Sequence, residues 1–368
     1  MTNQEKATKE IKEPLFHITK RSNVSLKTSI IARVVAVLLG FLVSGIIVMI
    51  LSGKNPIAVY SSMFSGAFGT ERRIWNLLNG TALLLGISLA LTPAFRMRFW
   101  NCGGEGQTMV GALATTACMF YLGESLPLPV LFIVIFITSL IAGAIWAVIP
   151  ALFKAFFGTN ETLFTLMMNY MATQVVKFAL KKWVTDGTTT LPTMSDYRFP
   201  KIFGKEYLLT VILVVIVCAM MYVYLRYSKQ GYEISVVGES EKTAKYVGIS
   251  VKKVIIRTMI ISGAICGFVG MLLVANGACT ITTDLVGGRG FTAILVSWLA
   301  KFNPLIMVLT SFLVAFLDAG AGQISTDFRV DTSICDILTA IILFFIIGCE
   351  FFIQYKINLR KTHKEDQV

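Results

Sequence analysis

The stretch LPVLFIVIFITSLIAGAIWAVIP, residues 128–150, runs for 23 positions without a charged side chain. A helix rises about 1.5 Å per residue and bilayer hydrocarbon is about 30 Å thick, so this stretch is long enough to cross it. Nine more apolar stretches surround it, near 31–51, 75–95, 104–122, 160–180, 207–226, 254–275, 286–300, 304–321 and 334–353. The pattern predicts an all-α polytopic membrane protein with about ten transmembrane helices. The eighth stretch is short and opens on glycines, so it reads either as a full span or as a re-entrant segment.

Hydrophobic residues make up 55% of the 368-residue chain and charged residues 15%, against about 25% charge in soluble domains. The net charge of +12 does not indicate nucleic-acid binding, because the cations lie in tails and short loops between apolar runs. The excess instead follows the preference of cytoplasmic loops for Lys and Arg. Lys20, Arg21, Lys27 and Arg33 flank the first stretch, Arg96 and Arg98 follow the second, and Lys154 follows the fourth. Lys229, Lys242, Lys245, Lys252 and Lys253 fill the segment after the sixth. All fall on one side when both termini are cytoplasmic. That topology makes residues 1–29 a cytoplasmic tail, 30–355 a multi-pass domain embedded in plasma-membrane lipid, and 356–368 a second cytoplasmic tail. The external loop 181–206 runs against the rule, with Lys181, Lys182, Arg198, Lys201 and Lys205.

Enzymatic chemistry finds no foothold. The only histidines, His17 and His363, lie in the tails, so neither a Ser-His-Asp set nor an H-E-x-x-H zinc site is available and no catalytic residue is assigned. Seven dispersed cysteines lack C-x-x-C or His-containing spacing, which indicates neither a metal nor a disulfide framework. Ser52-Gly53-Lys54-Asn55 is the nearest approach to a P-loop, without the upstream Gly or the following Ser or Thr.

Two glycine clusters echo each other. Gly103-Gly104-Glu105-Gly106-Gln107 opens the third stretch and Gly287-Gly288-Arg289-Gly290-Phe291 opens the eighth, one running outward and the other inward. Stretches two to five and seven to ten then read as an inverted-topology repeat. Glu105 and Gln107 beside the glycines suit an interrupted helix start that forms a polar pocket, or else a helix-packing site with a carboxylate at its edge. Asn160 suits a cap of the fifth stretch, with Glu161 in its first turn and Asn169 further along. Arg289 calls for a carboxylate, Asp284 or Asp318, because an unpaired Arg in the bilayer costs at least about 2.5 kcal/mol. Asn276 and Asp318, near the external mouth, are candidates for contact with a polar solute.

The longest polar stretch on the cytoplasmic side lies within residues 228–253. Glu241, Ala244, Lys245 and Gly248 recur at three- and four-residue spacing, predicting a short helix from an N-cap at Ser240 to Gly248. Such a helix suits docking of a soluble partner, and a plain solvated loop is the alternative.

Residues 231–249, followed by Val251-Lys252-Lys253 and the small-residue span Ile261-Ser262-Gly263-Ala264, resemble the coupling segment of ABC importer permeases of the branched-chain amino acid, ribose and nucleoside group. Asn101 with Gly103–Gln107, Gly158-Thr159-Asn160-Glu161 leading to Met168-Asn169-Tyr170, and Gly288–Ile294 followed by Asn303-Pro304-Leu305 carry the same resemblance over roughly residues 30 to 355. It is strongest to nucleoside-type permeases that work with a basic-membrane-protein-like lipoprotein. The resemblance implies a type II importer permease fold. It also implies a cytoplasmic ABC ATPase that binds ATP and Mg, a second permease subunit of paralogous sequence, and an extracellular substrate-binding lipoprotein; this chain would hold no cofactor. Gly238, Glu239, Lys242, Ala244, Gly248 and Ile249 would contact the ATPase. Glu105, Gln107, Asn169, Asn276 and Asp318 would line the substrate path, and Gly103, Gly104, Gly106, Asn160, Glu161 and Arg289 would be structural. The expected cargo is a nucleoside, with a simple sugar such as ribose or galactose as the alternative. The competitor from another class is an ion-coupled secondary transporter, which would have to rely on Glu105, Asp318, Asp336 or Glu350.

Overall fold

A computed structural model describes residues 16–21, 25–184 and 190–359, so most of both expected tails lies outside the described residues. In chain order the elements are β1 (Phe16–Lys20), α1 (Leu26–Ser52), α2 (Pro56–Phe68), α3 (Glu71–Arg96), α4 (Gly104–Leu122), α5 (Leu128–Phe157) and α6 (Glu161–Trp183). They continue with α7 (Leu208–Tyr227), α8 (Lys229–Glu239), α9 (Glu241–Tyr246), α10 (Val251–Leu272), a π turn (Leu273–Ala278), α11 (Arg289–Leu299), α12 (Pro304–Phe328), α13 (Thr332–Gln354) and β2 (Tyr355–Leu359). Two compact units emerge, residues 64–320 and residues 1–63 with 321–368, and their boundaries fall inside α2 and α12.

In the smaller unit α1 lies along α13. Gly40 lets the helices close, since a Cβ there would sit 3.2 Å from the Ile342 Cα. Ala36, Cys349 and Ile353 are buried together on the same seam. Arg33, two turns into an apolar helix, donates from Nε to Glu350 Oε1 at 3.1 Å, so each charge neutralises the other. β1 and β2 pair antiparallel, Phe16 opposite Leu359 and Lys20 opposite Tyr355. The pairing holds the start of α1 and the end of α13 at one face of this unit, in keeping with termini on the same side. Five-residue strands leave too little periodicity to be read from sequence, and neither was expected.

The larger unit is organised around α10, which packs on α3, α4 and α5. The contact is a small-residue seam of the Gly-x-x-x-Gly kind. A Cβ at Gly263 would fall 2.3 Å from the Gly143 carbonyl oxygen, at Gly267 2.1 Å from that of Ser139, and at Gly270 2.2 Å from that of Thr108. Side chains are excluded there, and backbone meets backbone.

All ten apolar stretches are helical, and among the described residues seven helices are long and apolar enough to cross a membrane. α4, rich in Gly and Thr, and α6, which carries Glu161, Lys177, Lys181 and Lys182, have the length with less apolar character. The eighth stretch corrects the count of full spans. α11 has 11 residues, about 16 Å at helical rise, roughly half the hydrocarbon thickness. The 13-residue α2 was not expected as an element.

Candidate functional site: a joint between two broken spans

The turn between α3 and α4, residues 97–103, is a tight elbow. Its backbone closes on itself through Phe99 N–H to Ala94 O, Asn101 N–H to Phe99 O and Cys102 N–H to Trp100 O, with Arg98 in the left-handed region at φ 59°. Asn101 and Gln107, both buried, form a reciprocal amide pair, Gln107 Nε2 donating to Asn101 Oδ1 at 3.1 Å and Asn101 Nδ2 to Gln107 Oε1 at 3.4 Å. The same Asn101 accepts from Gly103 N–H at 3.0 Å and donates to Ser262 Oγ at 3.1 Å. Asn169 on α6 accepts from Gly106 N–H at 2.8 Å and donates to the Cys102 carbonyl at 2.9 Å, and Thr165 Oγ1 accepts from Cys102 N–H. Ser262 lies near the middle of the Val251–Ala278 helix, so the elbow ahead of α4 is tied to the middle of that helix rather than to its end.

α11 begins beside the start of α4, its first turn held by Glu105. The Glu105 carboxylate accepts from Gly288 N–H at 2.9 Å and from Gly290 N–H at 2.7 Å, joining groups 183 and 185 residues apart. A helix start leaves its first N–H groups without intrahelical partners and carries partial positive charge, so a carboxylate placed there is stabilised twice over. Gly290 admits the approach, since a Cβ there would fall 2.3 Å from the Glu105 backbone nitrogen. Arg289 takes no carboxylate from Asp284 or Asp318 among the described residues. Its guanidinium donates to Leu285 O and Val286 O and stands near Glu105. At its other end α11 is gripped by rings, Trp298 stacking on Trp100 at 5.3 Å and Phe302 on Phe95 at 6.2 Å. The two glycine clusters seen as an echo in sequence are thus opposed helix starts, and α4 packs on α10 as α11 packs on α3.

Below the elbow lie α8 and α9. Ser240 caps α9, its Oγ accepting from Thr243 N–H at 3.2 Å, and Gly248 ends the turn in the left-handed region at φ 80°. The inner face of this segment is core. Ile234, Val237 and Ala244 are buried with Ala94, Met97, Phe99, Ala147 and Val254. A Cβ at Gly238 would lie 2.0 Å from the Arg96 carbonyl oxygen. The outer face is bare: Glu239, Lys242 and Val247 are exposed, and Tyr246 is 92% exposed. The segment is thus a two-helix platform with an apolar underside packed on the core and an exposed aromatic on its outer face.

The family model for branched-chain amino acid transport system permease components matches residues 73–347. This chain belongs to that family. Its relatives include the guanosine ABC transporter permease protein NupP of Bacillus subtilis, 29% identical over 86% of this chain and 92% of the relative. A glucose ABC transporter permease protein of Haloferax volcanii is 25% identical over 89% of each chain. The nucleoside ABC transporter permease protein NupB of Lactococcus lactis is 25% identical over 92% of this chain and 96% of the relative.

In this permease component the remaining residues singled out from sequence sit apart from the joint. Asn160 Oδ1 accepts from Leu163 N–H at 3.2 Å as the cap of α6, and Glu161 pairs with Lys154 at 2.8 Å. Asn276 is buried in the π turn, where Nδ2 donates to Thr210 Oγ1 at 2.6 Å while Oδ1 has no partner among the described residues. Asp318 is exposed on α12. The cations of the loop before α7 are largely spent on carboxylates: Lys201 lies 2.6 Å from Glu206, Arg198 3.9 Å from Glu206, and Lys205 pairs with Glu71. Lys201 accordingly holds the Glu206 carboxyl below the usual carboxylate range. Sequence reading missed Thr165 and named Ser262 only within a small-residue span; both are ordinary small polar residues whose importance appears only when the elbow folds against them.

Proposed function

We propose that this permease component is the path-forming subunit of an ABC importer for nucleosides. The observation that carries the reading is the end-to-end match to two nucleoside permease proteins, covering about nine-tenths of each relative. An apolar groove of about 520 Å³ between α5 and α6, walled by Trp146, Phe164, Met167, Met168 and Met171, supports it, being of the size that buries a small ligand and offering rings for a base. The glucose permease relative favours a hexose as second reading.

In this account a cytoplasmic ABC ATPase carrying ATP and Mg docks on α8 and α9, through Glu239, Lys242, Gly248 and Ile249 around the exposed Tyr246, with Gly238 and Ala244 packing the segment onto the transmembrane core. A paralogous permease completes the path, an extracellular lipoprotein delivers cargo, and both termini face the cytoplasm of a plasma membrane. Asn276 and Asp318 face the path, while Glu105, Gln107 and Asn169 shape its wall from behind. The test is uptake of labelled guanosine and uridine in cells with and without this chain. Loss on deletion, with competition by unlabelled nucleosides and none by glucose or ribose, is expected; competition by sugar alone would move the assignment to a sugar importer.

A further inference from the structure

We propose that Glu105 is the positioning residue through which the docking segment moves the N-terminal tip of α11 during transport, a role that rests on the docking reading above. The docking helices are fused to the end of α3, since Gly238 touches the Arg96 carbonyl and Ile234, Val237 and Ala244 share one core with Met97 and Phe99. Any tilt of α8 and α9 therefore displaces the elbow. The elbow moves as one piece, because its backbone closes on itself and the Asn101–Gln107 amide pair ties its last turn to the first turn of α4.

At the far end the Glu105 carboxylate grips two N–H groups of the α11 tip. The chain enters that tip through Gly287 and Gly288, consecutive residues in the left-handed region at φ 60° and 76°, a conformation that Gly adopts without strain. The opposite end of α11 is anchored on the body of α3, where Ser297 Oγ donates to the Ser88 carbonyl. A short rod held on α3 at one end, hinged on glycines at the other and pulled there by a carboxylate swings when the elbow shifts. A Gln at position 105 would break the pull, since its amide NH2 meets an N–H donor where a second carboxylate oxygen had accepted.

The native thiols supply a reporter. Cys102 in the elbow and Cys118 are partly exposed, and the remaining cysteines are buried. In a Cys118→Ser background, the complex with its ATPase is labelled by a maleimide with and without ATP and vanadate, reading Cys102. A Cys102→Ser, Cys118→Ser, Asp284→Cys chain reads the tip, Asp284 being exposed. Both rates are expected to change at least threefold on trapping. With Glu105→Gln the Cys102 change is expected to persist while the tip change disappears, and Gly287→Ala, which stiffens the hinge without crowding, is expected to blunt the tip change alone. A tip response in Glu105→Gln equal to the parent would show a static bond and overturn the proposal. Loss of both responses would make Glu105 a brace of the whole elbow and overturn it equally. An unresponsive Cys102 in the parent would instead overturn the docking reading on which the proposal depends.

Discussion

Asn101 is the residue on which the elbow depends, because one side chain satisfies the Gly103 N–H, the Gln107 amide and the Ser262 hydroxyl. Asn101→Ala strands several buried polar groups at about 1–3 kcal/mol each, and a fall of several degrees in thermal unfolding midpoint in detergent is expected; an unchanged midpoint would contradict the network. Asn169→Ala removes one acceptor and one donor from the same elbow and is expected to have a smaller effect in the same direction. At this scale the sequence disclosed which residues matter more readily than what they touch. Glu105, Gln107 and Asn169 stand out as polar residues within apolar stretches. That Glu105 reaches Gly288 and Gly290 was not legible, because a contact across more than 180 positions leaves no periodic trace in the chain. Arg289 shows the same limit: the cost of a bare guanidinium predicts a partner, while the fold supplies backbone carbonyls and a neighbouring carboxylate in place of Asp284 or Asp318.

Among the elements, α10 and the docking pair make the sharpest predictions. Gly267→Val would drive side-chain atoms into the Ser139 carbonyl and Gly143; overpacking of this kind costs about 1–3 kcal/mol or more, so a marked loss of folded protein in mild detergent is expected, while Gly277→Val, whose Cβ would meet only the Leu272 carbonyl oxygen at 3.9 Å, is the control. Tyr246→Ala removes the one large aromatic on the outer face of α9. If Tyr246 is an interface anchor, truncation costs about 2 kcal/mol or more, roughly a thirtyfold weaker hold on the ATPase, read as its loss during co-purification; full retention would place the docking surface elsewhere. α9 was legible because Ser240 and Gly248 are local signals with local causes, a side-chain cap and a left-handed turn. α8, α2 and the π turn were not, since their helical state is settled by packing against other parts of the chain. α11 lay between the two, its glycines signalling a broken start and its length becoming clear only when the helix ended at Leu299.

For the whole molecule, the hydropathy pattern was enough to establish a polytopic helical membrane protein, and the resemblance carried by four ordered motifs pointed to the permease family that the match over residues 73–347 shows. Arg198, Lys201 and Lys205, three of the cations that ran against the expected topology, lie beside the carboxylates of Glu206 and Glu71. In the proposed importer cargo crosses because a partner hydrolyses ATP, and reconstitution tests that dependence. Proteoliposomes holding the co-purified complex, supplied with the delivery lipoprotein outside and ATP inside, are assayed for accumulation of labelled guanosine. Accumulation that requires ATP, fails with a non-hydrolysable analogue and is abolished by Tyr246→Ala is the predicted result. Accumulation by this chain alone, driven by an ion gradient and indifferent to ATP, would contradict it.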